Sequence, residues 1–76
     1  MIFEKIREII AAQMNLDKNS IMPETLFIEN LKADSLDIFK LITELEEIYD
    51  IEFELLELEK IKTVADATEY VKKAIG

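Results

Sequence analysis

Asp34-Ser35-Leu36 sets one hydroxyl directly after an irregular stretch and directly before a strongly periodic, acidic one. The chain has no Cys and no His, so it lacks the usual thiol nucleophile and the side chain that most often acts as general base near neutral pH. A serine in that company offers the chemistry of an acceptor, an oxygen to which another protein joins a group. The competing reading is an ordinary helix-start residue, a position where serine is common, and the tripeptide alone favours it. Catalysis by paired acids is disfavoured, because Glu46 and Glu47 are adjacent and point in different directions on a helix. The acids near Ser35 do not follow the spacing of a calcium loop, so no metal site is expected in the free protein.

Positioning that hydroxyl falls to helices. Ile2, Phe3, Ile6, Ile9, Ile10 and Met14 recur at spacings of three and four, which predicts an amphipathic helix over roughly 2–14. From Asn15 to Ala33 the periodicity lapses, and Asn15, Asp17, Asn19, Ser20, Pro23 and Asn30 mark a long loop. Leu16, Ile21, Leu26, Phe27 and Leu31 are expected to pin it to the core. A loop this long in so short a chain is often functional. Helical spacing returns from Ser35 to about Tyr49 through Leu36, Phe39, Ile42, Leu45 and Ile48 or Tyr49, with Asp34 and Asp37 placed as a capping box. A turn and a short helix near 55–60 follow. Thr63 and Asp66 form a second capping box, opening a last helix with Val64, Ala67, Val71, Ala74 and Ile75 on one face. The expected fold is all-α: a small bundle of three main helices plus one short helix, with the long loop between the first and second.

Seventy-six residues, half of them hydrophobic, leave room for one domain spanning 1–76. With neither disulfides nor the common zinc ligands, that domain must hold by packing. Seventeen acids against nine bases give a net charge of −8, which argues against nucleic acid and for basic protein partners. No apolar run is long enough to span a membrane, and Met1-Ile2-Phe3-Glu4 lacks the basic and apolar stretches of a secretion signal. A monomeric, cytoplasmic protein without membrane insertion is expected.

Four stretches around Asp34-Ser35-Leu36-Asp37 resemble the acyl carrier protein family: Phe27-Ile28-Glu29-Asn30-Leu31 before the serine, Leu45 to Ile51 at the acidic end of the second helix, Ile61 to Ala67 at the start of the last, and Tyr70-Val71 near its close. The resemblance runs over essentially the whole chain. It implies a carrier rather than an enzyme, with Ser35 bearing a phosphopantetheine arm taken from coenzyme A and joined through a phosphodiester. The arm's thiol would then hold acyl thioesters that the Cys-free polypeptide cannot hold itself. The implied partners are a phosphopantetheinyl transferase and the acyl-transfer and synthase enzymes, most typically of fatty acid synthesis. By the same resemblance Asp34 doubles as a cap and as a carboxylate that helps the transferase hold magnesium.

Between Asp34 and Asp50 stand six acids and one base, a net −5, and Asp37, Glu44 and Glu47 form a stripe interrupted by Lys40. For most helices such a stripe is a solvated face. Beside the modified serine it reads better as a docking surface for basic patches, made of Asp34, Leu36, Asp37, Lys40, Thr43, Glu44 and Glu47. Phe39, Ile42, Leu45, Phe53, Ile61, Val64, Ala67, Tyr70 and Val71 are expected in the core. The resemblance makes the first eight of these candidates to line an acyl pocket. Three departures from the family's pattern stand out: Lys32 where glycine is usual, Lys40 where an acid is usual, and Leu55, Leu56 and Leu58 in a segment normally acidic and small. Core packing is the first reading for these leucines, with a partner contact or a changed acyl pocket as the others. Lys40 and the leucines keep open a specialised carrier of polyketide, aminoacyl or other acyl groups; an unmodified acidic interaction module of the same fold is the alternative of a different class.

Overall fold

The computed structural model describes residues 2–76. Its elements are α1 (Ile2–Met14), a 3₁₀ turn at Lys18–Ser20, α2 (Ser35–Tyr49), α3 (Leu55–Leu58) and α4 (Val64–Ile75). Among the described residues there is no strand, only an isolated antiparallel bridge between Leu26 and Thr63. The all-α architecture is the expected one, and the bounds of α1 and α2 are those the periodicity gives.

Helix ends follow local chemistry. α1 closes through Asn15, at φ 55°, with the Leu16 amide donating to Ala11 O at 2.9 Å. α2 closes in the same way through Asp50, at φ 54°, with Ile51 N–H donating to Glu46 O at 3.2 Å. α1, α2 and α4 pack pairwise around Ile6, Ile21, Leu45, Val64 and Val71, which are fully buried. Thr68 is buried on α4 and donates its hydroxyl to Val64 O at 3.0 Å, which satisfies the one polar atom it takes inside.

Several apolar positions depart from expectation. On α2 the spacing of three through Leu36, Phe39, Ile42 and Leu45 does not track a helix that repeats every 3.6 residues. Each such step falls back about 60° around the axis, so Leu36 ends on the face opposite Leu45. Leu36 is exposed, as a docking residue is expected to be, Ile48 is exposed and Phe39, expected in the core, is 63% exposed, while the inward face is Ile38, Leu41, Ile42, Leu45 and Tyr49. Ala74 and Ile75 are exposed on the last turn of α4, where the core has ended. Leu16 contributes its amide to helix closure and leaves its side chain exposed. Leu56 is 77% exposed rather than core, and Leu58 is half-buried against the core. The side chain of Leu55 lies outside the described residues.

The loop from 15 to 33 is pinned at Ile21 and Phe27, as expected, with Leu26 and Leu31 half-buried. Backbone bonds then lash it to the start of α4: Phe27 N–H to Lys62 O at 3.0 Å, Val64 N–H to Thr25 O at 3.0 Å and Ala65 N–H to Pro23 O at 2.8 Å. Thr63 and Asp66 form the capping box expected at that helix. The Asp66 carboxylate also accepts from the amides of Lys62 and Thr63, at 3.0 and 3.1 Å, and these bonds hold its pKa below the ordinary 3.8. A carboxyl whose folded-state pKa is depressed contributes stability in full above its ordinary value and loses it as the pH falls below that value and through the lower folded-state pKa. The stability gap between this protein and Asp66→Asn, read from urea midpoints, is expected to be widest above about pH 5 and to narrow progressively below about pH 4. A gap that is the same at every pH contradicts this account.

Candidate functional site

At the start of α2 two carboxylates serve each other's backbone. Asp34 Oδ1 accepts from Asp37 N–H at 2.9 Å and Asp37 Oδ2 accepts from Asp34 N–H at 3.1 Å, completing the expected capping box. Ser35 is the first residue of α2 and is exposed. The other aliphatic hydroxyls of the chain are all engaged. Ser20 donates to Asp17 O, Thr43 to Phe39 O and Thr68 to Val64 O, while Thr25 and Thr63 accept from the amides of Met22 and Asp66. Ser35 Oγ takes part in no hydrogen bond among the described residues, and it lies at the positive end of a 15-residue helix.

The approach to Ser35 is a tight turn. Leu26 O accepts from the amides of Asn30 and Leu31, Asn30 Oδ1 accepts from Leu26 N–H at 2.8 Å, and Ala33 N–H donates to Phe27 O at 3.0 Å. Turning the chain between Leu31 and the buried Ala33 requires φ 58° at Lys32, the left-handed conformation that glycine adopts without strain. The glycine that the resemblance implies at this position would suit that conformation, and the lysine here bears the strain.

Along α2, Lys40, Glu44 and Glu47 are exposed and Thr43 half-buried. Together with Phe39 they form one wall of a groove whose opposite wall is α1, through Lys5, Glu8, Ile9, Ala12 and Gln13. Phe39 therefore belongs with the outward stripe rather than with the core. Asp34 and Leu36 are exposed nearer the helix start, and Asp37 is half-buried by its capping bonds. Gln13 Nε2 donates to Asp37 O at 2.8 Å, tying α1 to the first turn of α2. Glu46 faces elsewhere, its Oε2 accepting from Phe53 N–H at 2.9 Å. None of the ion pairs among the described residues involves an acid of α2, and no three Asp or Glu side chains gather as a metal site there.

Of the residues expected to line an acyl pocket, all but Phe39 belong to, or pack against, one buried core cluster. Ile42, Leu45, Val64 and Ala67 are buried in the packed core and Phe39 is outside it. Phe53 stacks on Tyr70 with centroids 4.3 Å apart. The Tyr70 hydroxyl donates to Glu52 O and accepts from Glu54 N–H, a clamp on the segment before α3. Ile61 does line an apolar cleft, in the company of Leu26, Phe27, Ile28, Ile38 and Leu58. Those five were missed, because only folding brings three distant segments to one place.

A family model described as a phosphopantetheine attachment site matches residues 4–71, a span that includes Ser35. The acyl carrier protein of Clostridium acetobutylicum is 49% identical over 72 residues, covering 95% of this chain and 94% of that protein. That of Helicobacter hepaticus is 44% identical over 92% of both chains. This chain belongs to the acyl carrier protein family. A solved structure of a candidate acyl carrier protein from Mycobacterium tuberculosis superposes with a TM-score of 0.89 at 33% identity, over 96% of this chain and 97% of that one. Acyl carrier proteins are carriers, not enzymes, and their cofactor is phosphopantetheine. No helix among the described residues is long and apolar enough to cross a membrane.

Two stability measurements test this geometry. Lys32→Gly is expected to stabilise the protein by up to about 1 kcal/mol, relief of left-handed strain outweighing the looser unfolded chain; a loss of stability contradicts the strain at Lys32. The unpaired acids of α2 repel one another, so raising the ionic strength from about 10 mM to about 150 mM, where the screening length falls from about 30 Å to about 8 Å, is expected to raise the melting midpoint by a few degrees. An unmoved midpoint shows that these charges are too dispersed to matter.

Proposed function

We infer that Ser35 carries the phosphopantetheine arm and that residues 1–76 work as one acyl-carrier domain. The observation that carries this reading is the hydroxyl survey: Ser35 offers the one exposed aliphatic hydroxyl with no hydrogen bond among the described residues. In the loading step, Ser35 Oγ attacks the phosphorus of coenzyme A that bears the pantetheine. The new P–O bond forms as the pyrophosphate link breaks, adenosine 3′,5′-bisphosphate leaves, and the hydroxyl proton passes to a base on the transferase.

The fit of the arm to this position has a physical basis. The capping box engages the amides of Asp34 and Asp37 and leaves those of Ser35 and Leu36 in the first turn, where unpaired N–H groups and the helix dipole favour a phosphodiester. The arm supplies a thiol for acyl thioesters. Asp34, held outward, is available to share a magnesium ion with the transferase while keeping its role as cap.

Docking follows the same helix. Leu36 and Phe39 are apolar contacts and Glu44 and Glu47 the acids that attract basic patches on acyl-transfer and synthase enzymes, through weak, salt-sensitive encounters. Fatty acid synthesis in the cytoplasm is the leading setting, with the carrier a monomer that visits separate enzymes. A specialised carrier is the second reading, favoured by Lys40 within the acidic stripe and by the exposed Leu56, both of which narrow the set of complementary partners.

Incubation with coenzyme A, magnesium and a broad-specificity phosphopantetheinyl transferase is expected to add one arm to this protein and none to Ser35→Ala, as read by intact mass. A gain in Ser35→Ala, or no gain here under conditions that modify a control carrier, overturns the reading.

A further inference from the structure

The loop that leads to α2 carries one cation whose place is otherwise unexplained. Lys32 is the only base between Lys18 and Lys40, it is exposed, and it enters no ion pair among the described residues. It also holds φ 58°, a left-handed backbone that costs any residue bearing a Cβ. Asn15 and Asp50 share that conformation, but each closes a helix, where a left-handed residue is usual, and asparagine and aspartate tolerate it best. Lys32 closes no helix. Strain of this kind gathers at ligand clamps and other working sites, which directs attention to what the ammonium can reach.

The nearest candidate is the group inferred on Ser35. Ala33 is buried and its amide is held by Phe27 O at 3.0 Å, while Lys32, Asp34 and Ser35 are all exposed. Ser35 follows Lys32 by three residues, so their Cα atoms are at most about 11 Å apart. The four-carbon stem of the lysine spans that gap from one side, and the serine side chain with its phosphate spans it from the other.

Charge gives the pairing its reason. A phosphodiester on Ser35 adds a negative charge beside Asp34 and Asp37, in a chain whose net charge is already −8. The capping bonds engage one oxygen of each carboxylate, and the helix N-terminus offsets part of the remaining repulsion. Neither carboxylate lies within ion-pair distance of Lys32, so the ammonium is uncommitted before the arm arrives.

We propose that the Lys32 ammonium pairs with the phosphodiester of the arm, which offsets the charge added at Ser35 and tethers the first atoms of the arm to the loop side of α2. The proposal rests on Ser35 bearing the arm.

The test uses the apo and arm-bearing forms of this protein, Lys32→Gln, Lys32→Arg and Lys40→Gln, with intact mass confirming each form. Glutamine keeps the Cβ and the backbone strain while removing the charge, arginine keeps the charge, and Lys40→Gln removes the same charge farther along α2. Each arm-bearing midpoint is read against the apo form of the same protein, which cancels differences in basal stability. In about 10 mM salt, attachment is expected to lower the midpoint of Lys32→Gln by about 1–5 °C more than that of the parent, the range set by an exposed ion pair in a chain of this size. Lys32→Arg is expected to match the parent, and Lys40→Gln to shift by less than Lys32→Gln. In about 1 M salt, where the screening length is about 3 Å, the four proteins are expected to converge. The phosphorus NMR resonance of the phosphodiester is expected to move in Lys32→Gln and to hold its place in Lys32→Arg.

Equal shifts in the parent and Lys32→Gln at low salt overturn the pairing, as does a Lys32→Arg that behaves like Lys32→Gln. An equal drop in Lys40→Gln also overturns it, by showing only the field of the whole chain. A Lys32→Gln that takes up no arm while the parent does assigns the lysine to the transferase contact instead and overturns it too. If none of the four gains the arm where a control carrier does, the attachment at Ser35 falls together with the pairing.

Discussion

The reciprocal pair of hydrogen bonds between Asp34 and Asp37 is the constraint on which the site depends. It stops the loop and starts α2 at one residue, so the hydroxyl that follows falls in the first helical turn rather than a residue earlier or later. It also ties both nearby carboxylates to backbone N–H groups, which lessens the repulsion they would direct at a phosphodiester. Gln13 holds the same turn from α1 by its bond to Asp37 O. The helix start is thereby fixed from within and from outside, and the Ser35 hydroxyl is left with no hydrogen-bond partner among the described residues.

The rest of the fold serves to keep that start in place. A long loop without regular structure is costly in conformational entropy, and here it is restrained by Ile21 and Phe27 in the core and by three backbone bonds to the head of α4. Thr63 and Asp66 cap α4 at the spot where the loop crosses it, so the second capping box braces the approach to the first. The same crossing sets Phe27 beside Ile61 and opens the apolar cleft next to α2. Positioning of the hydroxyl and formation of the cleft are thus two results of one anchored loop.

What was legible in the sequence was what is local. Both capping boxes, the spans of α1 and α2 and the outward Asp34-Ser35-Leu36 are read from spacings of three and four residues. Lys32 was legible as an oddity, and its φ of 58° gives the cause. Phe39 was misplaced because steps of three imitate a helical stripe for one turn and then drift around the axis. Leu56 was misplaced because a four-residue helix has too few turns for periodicity to tell inside from outside. The cleft was illegible for another reason: Phe27, Ile38 and Leu58 are far apart in the chain, and no local pattern encodes their meeting.

The excess negative charge has its place in the same picture. Glu44 and Glu47 on α2 are exposed and out of ion pairs among the described residues, which costs stability through self-repulsion and suits the docking role proposed for them. The most direct measurement of the central claim is the position of the arm in enzymatically modified protein, mapped by proteolysis and fragment mass. The account predicts that the added mass lies on Ser35 alone. Finding it on Ser20, or on any threonine, would contradict the claim that the Asp34–Asp37 cap selects the hydroxyl that is modified.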